Sequence, residues 1–149
     1  MKKITIALLI CFSLLLQAQV KKFGFYTNER SRDGEHSFSY AFQLWKYNNT
    51  IIGKVSFSEG LIGDQVSSFI SDVHYNPETN AISFVSKIDN TPLEFNGTIY
   101  KSEIRGVFKW NLKKVTKLET LKLCCKDAEI NVDYKSFEDW KAMWKQFDH

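Results

Sequence analysis

Apolar side chains recur at every second position from Leu93 to Trp110, LEFNGTIYKSEIRGVFKW, and the recurrence survives a reversal of the chain. A turn between Lys101 and Ser102 sets Ile99 opposite Ile104, Gly97 opposite Gly106, Phe95 opposite Phe108 and Leu93 opposite Trp110. Strand side chains alternate between two faces, so these eight share one side. The other side carries Glu94, Asn96, Thr98, Tyr100, Glu103, Arg105, Val107 and Lys109, mostly polar. The stretch predicts an antiparallel hairpin with one buried face and a defined register.

The same period continues on either side. Val20 to Thr27 reads as a first strand, and the polar run from Asn28 to His36 as a loop. Phe38, Tyr40, Phe42 and Leu44 alternate with Ser39, Ala41 and Gln43. A two-residue turn at Asn48-Asn49, where Asn tolerates positive φ, sets Leu44 against Gly53, Phe42 against Val55 and Tyr40 against Phe57. That register leaves Trp45 and Ile52 as an apolar pair on the polar face. Phe69, Ser71, Val73 and Tyr75 are expected on one strand face, followed by a turn at 76–80 and by Ile82, Phe84, Ser86 and Ile88. A turn spanning Asp89-Asn90-Thr91-Pro92 pairs Ile88 with Leu93, which brings Phe84 opposite Gly97 and Ser86 opposite Phe95. After a polar loop from Asn111 to Thr116, a last strand is expected over Lys117 to Cys125 with Leu121, Leu123 and Cys125 inward. Ile130, Val132 and Tyr134 offer a short extra strand.

The period then changes. Phe137, Trp140, Trp144 and Phe147 recur at helical spacing behind Ser136, a suitable N-cap, with Glu138 and Asp139 in the first turn. A helix over 136–147 is marginal alone and its aromatic side must dock. The end of the barrel is one place for it; the outer wall at Trp45 and Ile52 is the expected one, because that pair otherwise lacks cover. Short strands with short connections imply a mainly β fold. The expectation is a single antiparallel up-and-down β-barrel or strongly curved meander of about eight strands with one C-terminal amphipathic helix. An open two-sheet sandwich is the alternative.

The N-terminus stands outside this pattern. Met1-Lys2-Lys3, the apolar run Ile4 to Leu16 and the polar Gln17-Ala18-Gln19 have the order of a bacterial signal peptide, with cleavage expected after Ala18. The run is short for a membrane span. Residues 1–18 are therefore expected to be a signal peptide and residues 19–149 a single barrel-like domain, secreted or periplasmic and not membrane-spanning after cleavage. A lipid anchor at Cys11 is disfavoured, because bulky Ile10 precedes it and the apolar run continues beyond it. Losing Lys2 and Lys3 lowers the formal charge from +3 to +1, which gives no pull towards nucleic acid. Charge is nevertheless uneven: Lys101 to Lys126 contains eight basic residues against Glu103 and Glu119. Cleavage leaves Cys124 and Cys125, adjacent and so divergent within a strand, and both thiols are expected to be free.

Chemistry narrows the functions further. His36, His74 and His149 are scattered, and Asp72 with His74 supplies only two candidate ligands, so neither metal nor cofactor is expected. Glu59 and Asp64 flank a loop and could serve a hydrolase, but no nucleophile elbow or phosphate-cradling loop accompanies them. An enzyme is not the expected reading. The leading expectation is a binding protein for a small apolar or amphipathic molecule, in or at the mouth of the barrel, with Phe84, Phe95, Phe108 and Trp110 as candidate lining. The rival is a protein-binding scaffold of inhibitor or immunity type, presenting Trp45, Ile52, Arg105 and Lys109 to a protein partner.

Overall fold

The inward-facing residues of strand after strand meet in one aromatic and aliphatic interior. The computed structural model describes residues 19–28, 30–31, 36–61, 65–111, 113–124 and 132–145. Within them lie β1 (Lys21–Thr27), β2 (Arg30–Ser31), β3 (His36–Tyr47), β4 (Thr50–Leu61), β5 (Val66–Phe69) and β6 (Ser71–Asn76). They are followed by β7 (Ala81–Ile88), β8 (Thr91–Ile99), β9 (Glu103–Trp110), β10 (Lys113–Leu123) and the helix α1 (Phe137–Lys145). Paired strands run antiparallel in the order β5-β4-β3-β1-β10-β9-β8-β7-β6, and β2 adds to β3.

The two ends of that order are consecutive in the chain, separated only by Ile70. The Ile70 N–H donates to Gly53 O of β4 at 3.0 Å. On the other flank, Ser86 Oγ of β7 donates to Phe69 O at 2.9 Å, and Ser71 pairs with Val85. One bent strand thus gives its first half to β4 and its second half to β7, and the sheet nearly closes on itself. Closure leaves few unpaired strand edges, which is the physical advantage of a barrel over the open sandwich.

Both hairpins adopt the registers expected from alternation. Leu93, Phe95, Gly97 and Ile99 oppose Trp110, Phe108, Gly106 and Ile104. Tyr40, Phe42, Leu44 and Trp45 oppose Phe57, Val55, Gly53 and Ile52, around a turn in which Asn48 takes a φ of 53°. Inside, Phe42, Leu44, Val55, Phe84, Leu93, Phe95, Ile104, Phe108 and Leu121 are all buried.

Three expectations are corrected. The turn between β7 and β8 is the two-residue Asp89-Asn90, both at positive φ (45° and 61°), so Ile88 pairs with Thr91 rather than Leu93. Phe84 therefore faces Phe95, Ser86 faces Leu93 and Ile82 faces Gly97. The slip is by two residues, which keeps every side chain on its face and makes it invisible to periodicity. Second, Phe69 does not point inward. Ile70 is buried in the interior, Phe69 packs outside, and a register shift between Ser71 and His74, with Asp72 at φ 47°, restores Val73 and Tyr75 to the interior. A bulge of this kind inserts one residue and flips the phase. Third, β10 starts at Lys113, inside the expected loop, and Leu123 is exposed.

Beside β1, Val20 forms an isolated antiparallel bridge with Tyr134, one residue of the stretch expected to add a short strand. The expectations for residues 1–18, Asp64, Cys125, Ile130, Phe147 and His149 lie outside the described residues.

Candidate functional site

Three of the four expected lining residues pack into the interior, and two of them, Phe84 and Phe95, also border a depression that opens outward. Phe84, Phe95 and Phe108 are buried, and Phe42 meets all three edge-on with ring centres at 5.2, 4.8 and 5.7 Å. Phe95 also contacts Phe84 and Phe108, and its ring covers the bare backbone of Gly97 and Gly106. Edge-to-face and offset pairs at these distances are how aromatic side chains fill an interior. Trp110 is only half-buried. Its Nε1–H donates to Tyr40 Oη at 2.9 Å, and its ring lies against Phe57 at 5.1 Å.

Room exists instead at the seam. The ladder between β4 and β5 covers Lys54 to Phe57, and beyond Ile70 the strand β6 pairs with β7 alone. Among the described residues no ladder joins β6 to the start of β4. A groove of about 500 Å³ lies there, bounded by Thr50 of β4 and by β6, β7 and β8. Val73, Tyr75 and Ile82, which belong to or pack on the interior cluster, form its apolar part together with Gly97. His74, Asn76, Ser83 and Asn96 supply polar groups from the outer face.

The outer wall is occupied. Trp45 is fully buried, which removes it from the expected interaction surface. Helix α1 lies over it, with Trp45 ring centres 5.8 Å from Trp140 and 5.5 Å from Trp144, as the need to cover an apolar pair on the polar face required. Tyr47 stacks on Phe137 at 5.0 Å, Phe69 meets Trp140 at 5.3 Å, and Val20 and Ile52 complete this second cluster. The helix starts as expected: Ser136 Oγ accepts from the Asp139 N–H at 3.1 Å. Between α1 and the wall, Ile52, Phe69, Ile70, Phe137, Trp140 and Lys141 enclose a recess of about 220 Å³.

The remaining scaffold residues, Arg105 and Lys109, lie on the outer wall but are paired. Arg105 bonds Glu103, and Lys109 Nζ reaches Glu94 Oε2 at 2.8 Å. Local acids thus offset part of the basic stretch. Asp72 and His74 border a shallow depression of about 190 Å³ with Glu94, and no group of three potential metal ligands occurs among the described residues. Glu59 belongs to β4.

Two features were not expected from the sequence. Glu119 is buried opposite Gly106 and accepts from Asn28 Nδ2 at 2.9 Å, while Asn28 Oδ1 accepts the Tyr40 N–H at 2.7 Å. Burial, and secondarily the charges of Glu119 and Glu59, raise the Tyr40 hydroxyl above its ordinary pKa against the lowering effect of Trp110. Alternation from Leu121 puts Glu119 on the inward face, but a carboxylate there is unexpected until Asn28 is seen to meet it. Cys124 is disulfide-bonded, which corrects the expectation of free thiols; the chain's other cysteines, Cys11 and Cys125, lie outside the described residues.

No protein-family model, curated protein or solved structure matches the chain.

Proposed function

We propose that this is an exported, non-enzymatic binding protein that takes a small amphipathic molecule at the open seam of its barrel. The carrying observation is the groove between β4 and β6, where interior apolar side chains and outer polar ones border the same space of about 500 Å³. Its volume falls within the range of small-molecule sites, roughly 300–1,000 Å³. An apolar body would rest on Val73, Tyr75 and Ile82, and a polar end would meet Thr50, His74, Asn76 or Asn96. The packed phenylalanines support binding at the mouth rather than deep inside. Export rests on the Met1–Ala18 pattern in the sequence. The scaffold reading is weaker, since it relied on an exposed Trp45 and unpaired basic groups.

Mass spectrometry of protein purified from its natural source should reveal a co-purifying amphipathic molecule. In addition, an amphipathic naphthalene sulfonate dye should gain fluorescence on binding. Val73→Trp, which fills the groove from a half-buried position, should abolish that gain while the thermal transition persists. Leu118→Trp, at an exposed site on β10, should leave it unchanged. Equal dye uptake by all three proteins would overturn the seam assignment.

A further inference from the structure

The polar rim of the seam groove is not uniform. On one side it is committed to the turn after β6: Tyr75 Oη donates to Asn80 Oδ1 at 3.1 Å, and Asn76 Oδ1 accepts the Glu78 and Thr79 N–H groups at 2.8 and 3.2 Å. On the other side stands a row that crosses three strands. His74 of β6 pairs with Ser83 of β7, and Ser83 with Asn96 of β8. Ser83 alternates with buried Ile82 and Phe84, so the row lies on the outer face. Among the described residues, none of these three side chains has a hydrogen-bond partner. Imidazole, hydroxyl and carboxamide together both donate and accept.

The row joins two spaces. His74, Ser83 and Asn96 line the seam groove and also the depression of about 190 Å³ beside it, which extends to Asp72, Val85 and Glu94. Glu94 is paired with Lys109, so Asp72 is the carboxylate there without a partner among the described residues. It sits in the β6 bulge at φ 47°, and bulges commonly re-aim a side chain. None of the residues lining the seam groove itself is Asp, Glu, Lys or Arg. A compact charged head held against the groove would shed water and gain no counter-charge. A carboxylate that reached further would meet Asp72, of like sign. Adjacent strands lie about 4.8 Å apart, so the row is roughly 10 Å wide. A ring bearing several hydroxyls spans that width with a hydrogen bond at either side, and a further hydroxyl can donate to Asp72.

We infer that the seam ligand is an amphiphile with a neutral, hydroxyl-rich head of sugar type. Its chain lies on Val73, Tyr75 and Ile82, and its head covers the His74–Ser83–Asn96 row with Asp72 as the terminal acceptor. This rests on the seam reading proposed above and narrows it from any amphipathic molecule to the glycolipid class.

The test compares three probes that share one alkyl chain: octyl glucoside, octanoate and an octyltrimethylammonium salt. Each is titrated below its micelle concentration into the isotope-labelled protein and followed by NMR. Binding in the groove should shift the backbone amides of Val73 and Ile82. Octyl glucoside should also move the Asn96 side-chain amide and bind about tenfold more tightly than either charged probe, the equivalent of one or two net hydrogen bonds. Ser83→Ala and Asn96→Ala should each weaken the glucoside about threefold and leave octanoate unchanged. Equal affinity for the three probes, with Val73 and Ile82 still shifting, would overturn the head-group inference while the seam site stands. Preference for octanoate or for the ammonium salt would overturn it too, and would mark the ligand as anionic or cationic. No shift at Val73 and Ile82 with any probe would overturn the seam reading itself and this inference with it.

Discussion

At Gly106 one missing methyl group decides how the interior packs. A Cβ there would fall on the Phe95 ring and on Asn96 O; at Gly97 it would fall on Arg105 O and within 2.6 Å of Phe95 Cζ. Backbone cannot yield cheaply, so Gly106→Ala should destabilise by about 1–3 kcal/mol, read as a lower denaturation midpoint with an unchanged slope. An unaltered midpoint would contradict the close approach. Tyr26 carries a different liability. Burial first, and Tyr75 second, raise its hydroxyl above the ordinary 10.0, and burial likewise raises Tyr40. A folded pKa above the unfolded one means that the folded state holds the proton more tightly. The corresponding stability is complete below pH 10 and is lost as pH rises through the folded values. Chemical denaturation between pH 9 and pH 12, at about unit intervals, should show that decline, and Tyr26→Phe should make it shallower. Cys124 is held in a disulfide, so alkylation of unreduced, denatured protein should leave its peptide unlabelled, and reduction should expose it.

Helix α1 shows how an element marginal by itself becomes part of the fold. Its nine residues would not persist alone in water. Its aromatic stripe and the outward pair Trp45–Ile52 complete each other, together with Val20. Trp140→Ala should therefore cost roughly 3–5 kcal/mol, the usual range for deleting a large buried aromatic. Loss of less than a third of that would mean that the ring contributes little to docking. The approach to the helix is pinned separately. Asp133 Oδ1 accepts the Lys22 N–H at 2.8 Å and Oδ2 pairs with Lys21 Nζ at 3.1 Å, beside the Val20–Tyr134 bridge. The backbone hydrogen bond from Lys22, then the Lys21 side chain, hold the Asp133 carboxyl below its ordinary 3.8. Its contribution is present above that value and fades as pH falls through the folded one. Because the group is surface-exposed, the effect is local: Asp133→Asn should raise amide exchange at Val20 and Tyr134 near neutral pH while global stability barely moves.

On the scale of the molecule, closure depends on a strand that changes partners. Up to Ile70 it belongs to β4, and from Ser71 it belongs to β7, with a bulge at Asp72 between Ser71 and His74. The same exchange that nearly closes the sheet leaves the wedge in which the seam groove lies. Opening free energy follows local packing and pairing. Amides of Val73 and Tyr75 should consequently exchange well before those of Phe42, Val55, Phe95 and Phe108, which lie in doubly flanked strands. Uniform protection across both sets would mean that the seam is as firm as the rest of the wall.

Alternation by itself determined which side chains enter the interior in the two long hairpins, because a slip of one residue would drive Phe95, Phe108 and Phe42 into water. It also marked Trp45 as needing cover and the stripe at Phe137, Trp140 and Trp144 as what could provide it. A slip of two residues carries no such penalty, so the pairing of Phe84 with Phe95 awaited the actual turn at Asp89-Asn90. The phase of Phe69 awaited the Asp72 bulge, which leaves no periodic trace in four residues of strand. The candidate lining residues were visible as inward aromatics, but whether inward aromatics enclose space or fill it depends on how rings from different strands interlock. That is a property of three-dimensional packing, and so are the groove at the seam and the recess beneath α1.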